Sequence, residues 1–246
     1  MWSERWLLRF HPEKCSVLKV GTKKSEASYR MNSTVLANSE VERDLGVLVD
    51  NNLCFRNNVA QMSAKANRVV GIIHRSFDCL KEPVFVQLHK ALVRPLLEYG
   101  HSAWQPYNKT LCAEVEDVQR RATKLLASLS NLDYPARLAA LHLPRLEHRR
   151  KRGDLIDCYK YVHGVYNTAS LFKLSTSDRT RGHSLKLVKE QCSRQVRLNF
   201  FSVRVVNVWN SLPELVVSAP SVNSFKSCLD AHWSNLATKY DPDCYH

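Results

Sequence analysis

Glycine is scarce in this chain, seven residues in 246, and neither G-x-G-x-x-G nor G-x-x-x-x-G-K-[ST] occurs. The glycine-rich loops that let a backbone wrap around nucleotide phosphates are therefore excluded. Eight cysteines stand at positions 15, 54, 79, 112, 158, 192, 228 and 244, spread evenly and never as C-x-x-C. That spacing excludes a zinc ribbon and a compact disulfide scaffold, and it predicts reduced, mostly buried thiols in an intracellular protein. Cys228 and His232 lie one helical turn apart, with Cys244 and His246 in the tail, but the pattern matches no standard metal site, and no metal ligand is assigned. Long apolar runs are missing too: charges interrupt the opening MWSERWLLRFH, and no later segment reaches 18 uninterrupted apolar residues. Neither a secretion signal nor a membrane partner is predicted. Histidines such as His74, His89 and His142 occur singly, without a positioned Ser, Cys or carboxylate, so none is assigned to catalysis.

What is abundant is positive charge. Thirty-six Lys and Arg against 23 Asp and Glu give +13, a bias that fits a polyanion such as RNA or DNA better than an acidic small substrate. With 44% hydrophobic and 24% charged residues, the chain has ordinary globular usage and the length for one large or two small cores.

The stretch ALVRPLLEYGHSAWQP, Ala91 to Pro106, reads as a helix end, a turn and an aromatic anchor. Leu88, Leu92, Leu96 and Tyr99 fall at helical spacing and predict the buried face, with Arg94 and Glu98 at i, i+4 on another. Pro95 removes a backbone donor and predicts a kink. Gly100 supplies a stop, after which Trp104 folds back on the preceding helix.

In chain order, Trp2, Trp6 and Phe10 mark a short helix ended by Pro12. Cys15 to Val20, Tyr29 to Leu36 and Glu42 to Val49 predict three short antiparallel strands. From Asn57 the period becomes helical, with Val59, Met62, Ala66, Val69, Val70 and Ile73 on one face. A second helix opens at Pro83. A third, Leu111 to Leu129, is capped by Thr110, with acids early and Arg120, Arg121 and Lys124 late. A fourth spans Leu146 to Tyr166. Phe201, Val205, Val208 and Trp209 mark another before Pro213. Val222, Phe225, Leu229 and Trp233 mark the last, capped by Ser221. The predicted class is mainly α, α+β overall: a small antiparallel β segment followed by a helical bundle and a C-terminal helical region.

The motif LVRPxLEYxxxxW resembles the thumb of reverse transcriptases from non-LTR retrotransposons of the jockey and LINE type. Upstream, FHPEKCSVLKVG and ERDLGVLVD resemble the end of that family's palm. Downstream, VQRRATKLLASL and LPRLEHRRKRGDLIDCYKYVHG continue the likeness, and RGHSLKL and FFSVRVVNVWNSLP resemble its C-terminal region. The resemblance runs collinearly over roughly residues 2 to 233. It implies a palm-rim remnant (1–52), a thumb-like helical bundle (53–170), a linker (171–184), a C-terminal helical segment (185–237) and a disordered tail (238–246).

The resemblance also carries expectations about chemistry. The intact polymerase adds nucleotides with two Mg²⁺ ions held by adjacent palm aspartates. No adjacent Asp pair occurs here, and the family's motif would precede Met1. Lys14 resembles the lysine that approaches the incoming triphosphate. Leu45 and Gly46 resemble the primer-grip hairpin. Arg120, Arg121, Lys124, Arg149, Arg150, Lys151 and Arg152 match thumb positions that contact phosphates of a template-primer duplex without reading sequence. The run at Arg149 opens a helix, where backbone N–H groups and cations together suit a phosphate. The expected function is backbone binding of RNA, DNA or an RNA-DNA hybrid by a chain that is not itself a polymerase and uses no cofactor. Missing upstream polymerase domains are expected partners. The alternatives are a helical protein-interaction module, or a retroelement remnant without function.

Overall fold

Two-residue turns shape the first fifty residues. In the computed structural model, which describes residues 5–8, 10–21, 26–167, 171–175 and 182–234, Tyr29 to Leu36 is not one strand. Asn32, at φ 55°, reverses the chain so that β2 (Arg30–Met31) pairs antiparallel with β3 (Thr34–Val35). Asn tolerates the left-handed region because its short polar side chain bonds locally. The segment Glu42 to Val49 is likewise a hairpin, β5 (Val41–Asp44) against β6 (Val47–Asp50). Leu45 and Gly46 form its turn, at φ 43° and 85°, as a two-residue hairpin loop matched to strand twist requires. The strand β1 (Ser16–Leu18) pairs with β4 (Ala37–Ser39) in parallel, not antiparallel.

Asp50, buried at the end of β6, fixes the exit from this region. Its carboxylate accepts from the backbone N–H groups of Asn52, Cys54 and Phe55 at 3.1, 3.0 and 2.5 Å. These bonds hold Leu53 and Phe55 at positive φ, a conformation costly enough to need such support. Of the helix expected from Trp2 to Phe10, Trp2 lies outside the described residues, while Trp6 and Phe10 are exposed.

The chain divides into two compact units, Met1–Asn58 and Val59–His246. The helix α1 (Arg56–Ser76) carries into the second unit the stripe read from the sequence, with Val59, Met62, Ala66, Val70 and Ile73 buried. Next come α2 (Glu82–Leu88), a π-helical turn (His89–Val93) and α3 (Arg94–Glu98). The expected kink at Pro95 takes this form. The Arg94 N–H reaches back five residues to the His89 carbonyl, and the widened turn accommodates the proline ring, which would clash in a regular helix. The buried face of this helical run is Phe85, His89, Val93 and Leu97, whereas Leu92 and Tyr99 are exposed. The predicted face is therefore corrected: two rows at i, i+4 spacing were available, and the one containing a histidine is inside. Gly100, at φ 63°, turns the chain into α4 (His101–Trp104). Trp104 is fully buried and donates its Nε1–H to the Tyr99 carbonyl at 2.5 Å.

The helix α5 (Lys109–Thr123) is capped by Asn108, not Thr110: Thr110 N–H donates to Asn108 Oδ1 at 2.8 Å. A 3-10 turn (Ala127–Leu129) leads to α6 (Tyr134–Ala140), capped by Asp133. The long α7 (Leu146–Val162) is the axis onto which the C-terminal helices are built. These are α8 (Gln195–Leu198), α9 (Phe201–Asn210), α10 (Glu214–Val217) and α11 (Val222–His232). Leu155 and Tyr159 of α7, Val205 and Trp209 of α9, and Phe225 and Leu229 of α11 share one apolar core. Each buried side chain of this size stabilises the fold by about 1.5–3 kcal/mol. The Tyr159 ring stacks on Phe225 at 4.5 Å, and its hydroxyl donates to the Ala219 carbonyl. Ser221 caps α11 through the Ser224 N–H, as the sequence predicts. The protein is thus mainly α, and among the described residues its strands are confined to the first fifty. Residues 176–181 of the expected linker and the expected tail lie outside the described residues.

Candidate nucleic-acid interface

The two basic runs of the second unit meet different surroundings. Arg120, Arg121 and Lys124 lie on the C-terminal turns of α5, opposite the stripe of Leu111, Val115, Val118 and Ala122 that faces the core. All three are exposed. Arg120 pairs with Asp117 one turn earlier and lies 5.0 Å above the Tyr134 ring. Arg121 and Lys124 have no ion-pair partner among the described residues. A helix C-terminus favours cations, so the charge is stable there without being consumed by an internal partner.

The run on α7, expected to contact phosphates, is largely engaged within the fold. Arg149 forks onto Glu98 of α3, with Nη2 to Oε2 at 2.9 Å. Arg152 holds Asp230 of α11 through two bonds of 2.7 Å. Lys151 pairs with Glu147 at 3.0 Å. Arg150 is 2% exposed and enclosed in the fold. The physical reason is position. The first half of α7 lies among α3, α4, α5, α9 and α11, so its arginines project into neighbouring helices and meet their carboxylates. Planar guanidinium forks suit bidentate carboxylate pairing.

One network escaped sequence reasoning altogether. Asp154 accepts two bonds of 2.8 Å from Arg204 of α9, and His101 Nε2 lies 3.6 Å from the same carboxylate. Arg204 also donates to the carbonyls of Asn199 and Ser102. Gly153 makes the approach possible, since a Cβ there would stand 2.4 Å from His101 Nε2. No local pattern links residues 50 positions apart; the one signal the sequence offers is a glycine inside a charged helix.

An open cleft of about 770 Å³ lies beside α5 and α7. Its wall includes Lys109, Arg120, Arg145, Arg150, Lys151 and Arg204 as cations and Glu116, Glu147 and Asp154 as carboxylates. Glu116, buried in α5, accepts from the Tyr134 hydroxyl at 2.6 Å and from the Leu146 N–H at 3.0 Å, which ties it to the start of α7. Burial first, and the Glu116 charge second, push the Tyr134 hydroxyl pKa upward, so the tyrosine stays protonated and donates.

In the first unit, Lys14 is exposed at the end of a 3-10 turn (Pro12–Lys14). Leu45 and Gly46 occupy the tip of the β5–β6 hairpin, and the Leu45 side chain is 84% exposed. Of the seven described cysteines, Cys158 alone is buried, against the expectation that most would be; none forms a disulfide. Among the described residues no three His, Cys, Asp or Glu side chains cluster as a metal site requires, and no helix is long and apolar enough to cross a membrane.

No protein-family model matches the chain, and no solved structure matches it. The chain is similar to an uncharacterized protein of Caenorhabditis elegans, 26% identical over 137 residues that make up 54% of this chain and 69% of the relative.

Proposed function

We propose that this chain derives from the palm rim, thumb and C-terminal region of a non-LTR retrotransposon RNA-directed DNA polymerase and retains sequence-independent binding of template-primer backbone. The observation that carries the reading is the exposed cationic end of α5, where Arg121 and Lys124 stand without an ion-pair partner among the described residues. Such groups attract phosphates by charge and release condensed counterions, a contact that positions a duplex without reading it. The exposed Leu45-Gly46 turn suits a close backbone approach to a strand end. Arg149 and Arg152 hold helices together and have no part in the proposed interface.

The test is binding of RNA-DNA hybrid to the full chain across a range of salt. Affinity should vary little with sequence and fall with a log-log slope of about −0.9 per phosphate neutralised. A salt-independent affinity, or none at low salt, sinks the reading. Given Mg²⁺, annealed primer and deoxynucleotides, the chain should extend no primer, because it lacks the paired aspartates that hold the metals in the family it resembles.

A second reading, a helical protein-interaction module, is favoured by the exposed apolar side chains of Val84, Leu92 and Tyr99 along the α2–α3 run. A hybrid-binding failure together with stoichiometric binding of a protein partner, lost on changing Leu92 and Tyr99 to Ser, would favour it instead.

A further inference from the structure

Among the described residues, Arg150 is the one cation of the cleft wall that is enclosed and forms neither a hydrogen bond nor an ion pair, although its charge is felt by Glu147. Its Nε and Nη1 are buried and form no hydrogen bond. The nearby carboxylates are engaged elsewhere. Glu116 serves Tyr134 and the Leu146 N–H, Glu147 holds Lys151 at 3.0 Å with Arg145 at 3.7 Å, and Asp154 holds Arg204 and His101. A guanidinium is always charged and carries five donors in a fixed fork. Enclosing it without acceptors is unfavourable, and a fold gains nothing by doing so unless an acceptor arrives. Gln105, on the same wall, has an enclosed amide oxygen with no hydrogen-bond partner among the described residues; rotation of that amide turns its N–H₂ to the same place. Lys109, exposed and without an ion pair among the described residues, stands on the wall at the first turn of α5, where helix dipoles favour negative charge.

We propose that this cleft binds a phosphate group carrying two negative charges, gripped by the Arg150 fork within and by Lys109 at the rim. A carboxylate would meet the fork but leave Lys109 and the surplus positive charge of the wall unanswered; a phosphate dianion meets all of them. The cleft volume leaves room for the organic group of a phosphate ester. Two sources share this chemistry: a small phosphate monoester, and the 5′-phosphate end of a nucleic acid. The proposal does not rest on Arg121 or Lys124, which carry the reading above, so either can fail alone.

The probe is inorganic phosphate at constant ionic strength, read by calorimetry and by thermal unfolding of the full chain. The parent should bind phosphate and unfold at a higher temperature in its presence, with no such response to chloride. Arg150→Met should abolish the response while unfolding no lower than the parent without phosphate, because it replaces an unpartnered buried charge with an apolar chain of similar length. Lys109→Ala, at an exposed position, should weaken phosphate about tenfold, the loss of one charge-assisted contact. No phosphate response in the parent, or an equal response in Arg150→Met, would overturn the site. If Arg150→Met does not fold, an undiminished response in Lys109→Ala overturns it. Competition with a nucleoside 5′-monophosphate alone identifies a small ester as the ligand. Competition also by a 5′-phosphorylated oligonucleotide, and not by its 5′-hydroxyl counterpart, identifies a nucleic-acid end. Competition by none of these overturns the assignment to a phosphate ester. An Arg121→Ala, Lys124→Ala variant that loses hybrid binding but keeps the phosphate response shows the two surfaces to be separate.

Discussion

The C-terminal end of α5 and the N-terminal half of α7 carry similar charge, and they differ in what lies against them. Beyond Arg121 and Lys124 there is solvent. Around α7 there are helices on several sides, so Arg149 and Arg152 meet Glu98 and Asp230, and Asp154 of the same helix meets Arg204. A basic run is thus a binding surface in one place and a set of cross-links in the other. The protein's net charge of +13 therefore overstates the charge available to a partner: several arginines are already answered inside the fold.

The comparison breaks most visibly at the internal cross-links. Asp154→Ala leaves Arg204 in a largely buried position without its counter-charge, and the expected loss is about 3–5 kcal/mol in urea unfolding. A loss below about 1 kcal/mol, the range of surface pairs, would place this pair with the exposed charges of α5.

Acid should act on the packing beside Arg94, Glu98 and Arg149 through His89. The ring is fully buried, and neither nitrogen has a hydrogen-bond partner among the described residues. Burial first, then the positive charges of Arg94 and Arg149, lowers its pKa to about 4. The unfolded chain takes up this proton as pH falls below about 6.5, and the folded chain resists until about 4. Stability from this group is therefore full above the upper value and lost through the window between them, by about 3 kcal/mol. His89→Leu should remove that part of the pH slope; an unchanged slope between neutral pH and the lower end of the window would refute the assignment.

A smaller effect sharpens the role of Gly153. Alanine is the better helix former by about 1 kcal/mol, yet its Cβ would fall on His101 Nε2, itself enclosed. Gly153→Ala should destabilise by about 1–3 kcal/mol. In a His101→Ala background the same change should be neutral or stabilising, a non-additivity that a double-mutant cycle measures.

Much of the fold was legible because its causes are local. Period and caps placed α1, α7, α9 and α11, and Gly100 and Trp104 behave as their residue types require. What stayed hidden depends on partners distant in sequence or on a choice between equal local patterns. Phe85, His89, Val93 and Leu97 had the same spacing as the row that was expected inside. Leu45-Gly46 lacks the Asn-Gly of a common hairpin turn, so the local pattern reads as one strand there, and only the family resemblance implies the hairpin that is found. The exposed charge of α5 was visible as cations off an apolar stripe; the fate of Arg149 to Arg152 was not, because Glu98, Asp230 and Arg204 are brought there only by tertiary packing.

The most direct measurement is the affinity of RNA-DNA hybrid, over a range of salt, for the parent and for the triple variant Arg120→Ala, Arg121→Ala, Lys124→Ala. Stability should change by no more than about 0.5 kcal/mol per site, as at exposed positions. Hybrid binding should weaken for all sequences alike, with a salt slope shallower by about two to three units. A folded triple variant that binds hybrid with the parent's affinity and slope would contradict the claim that this end of α5 is the nucleic-acid surface.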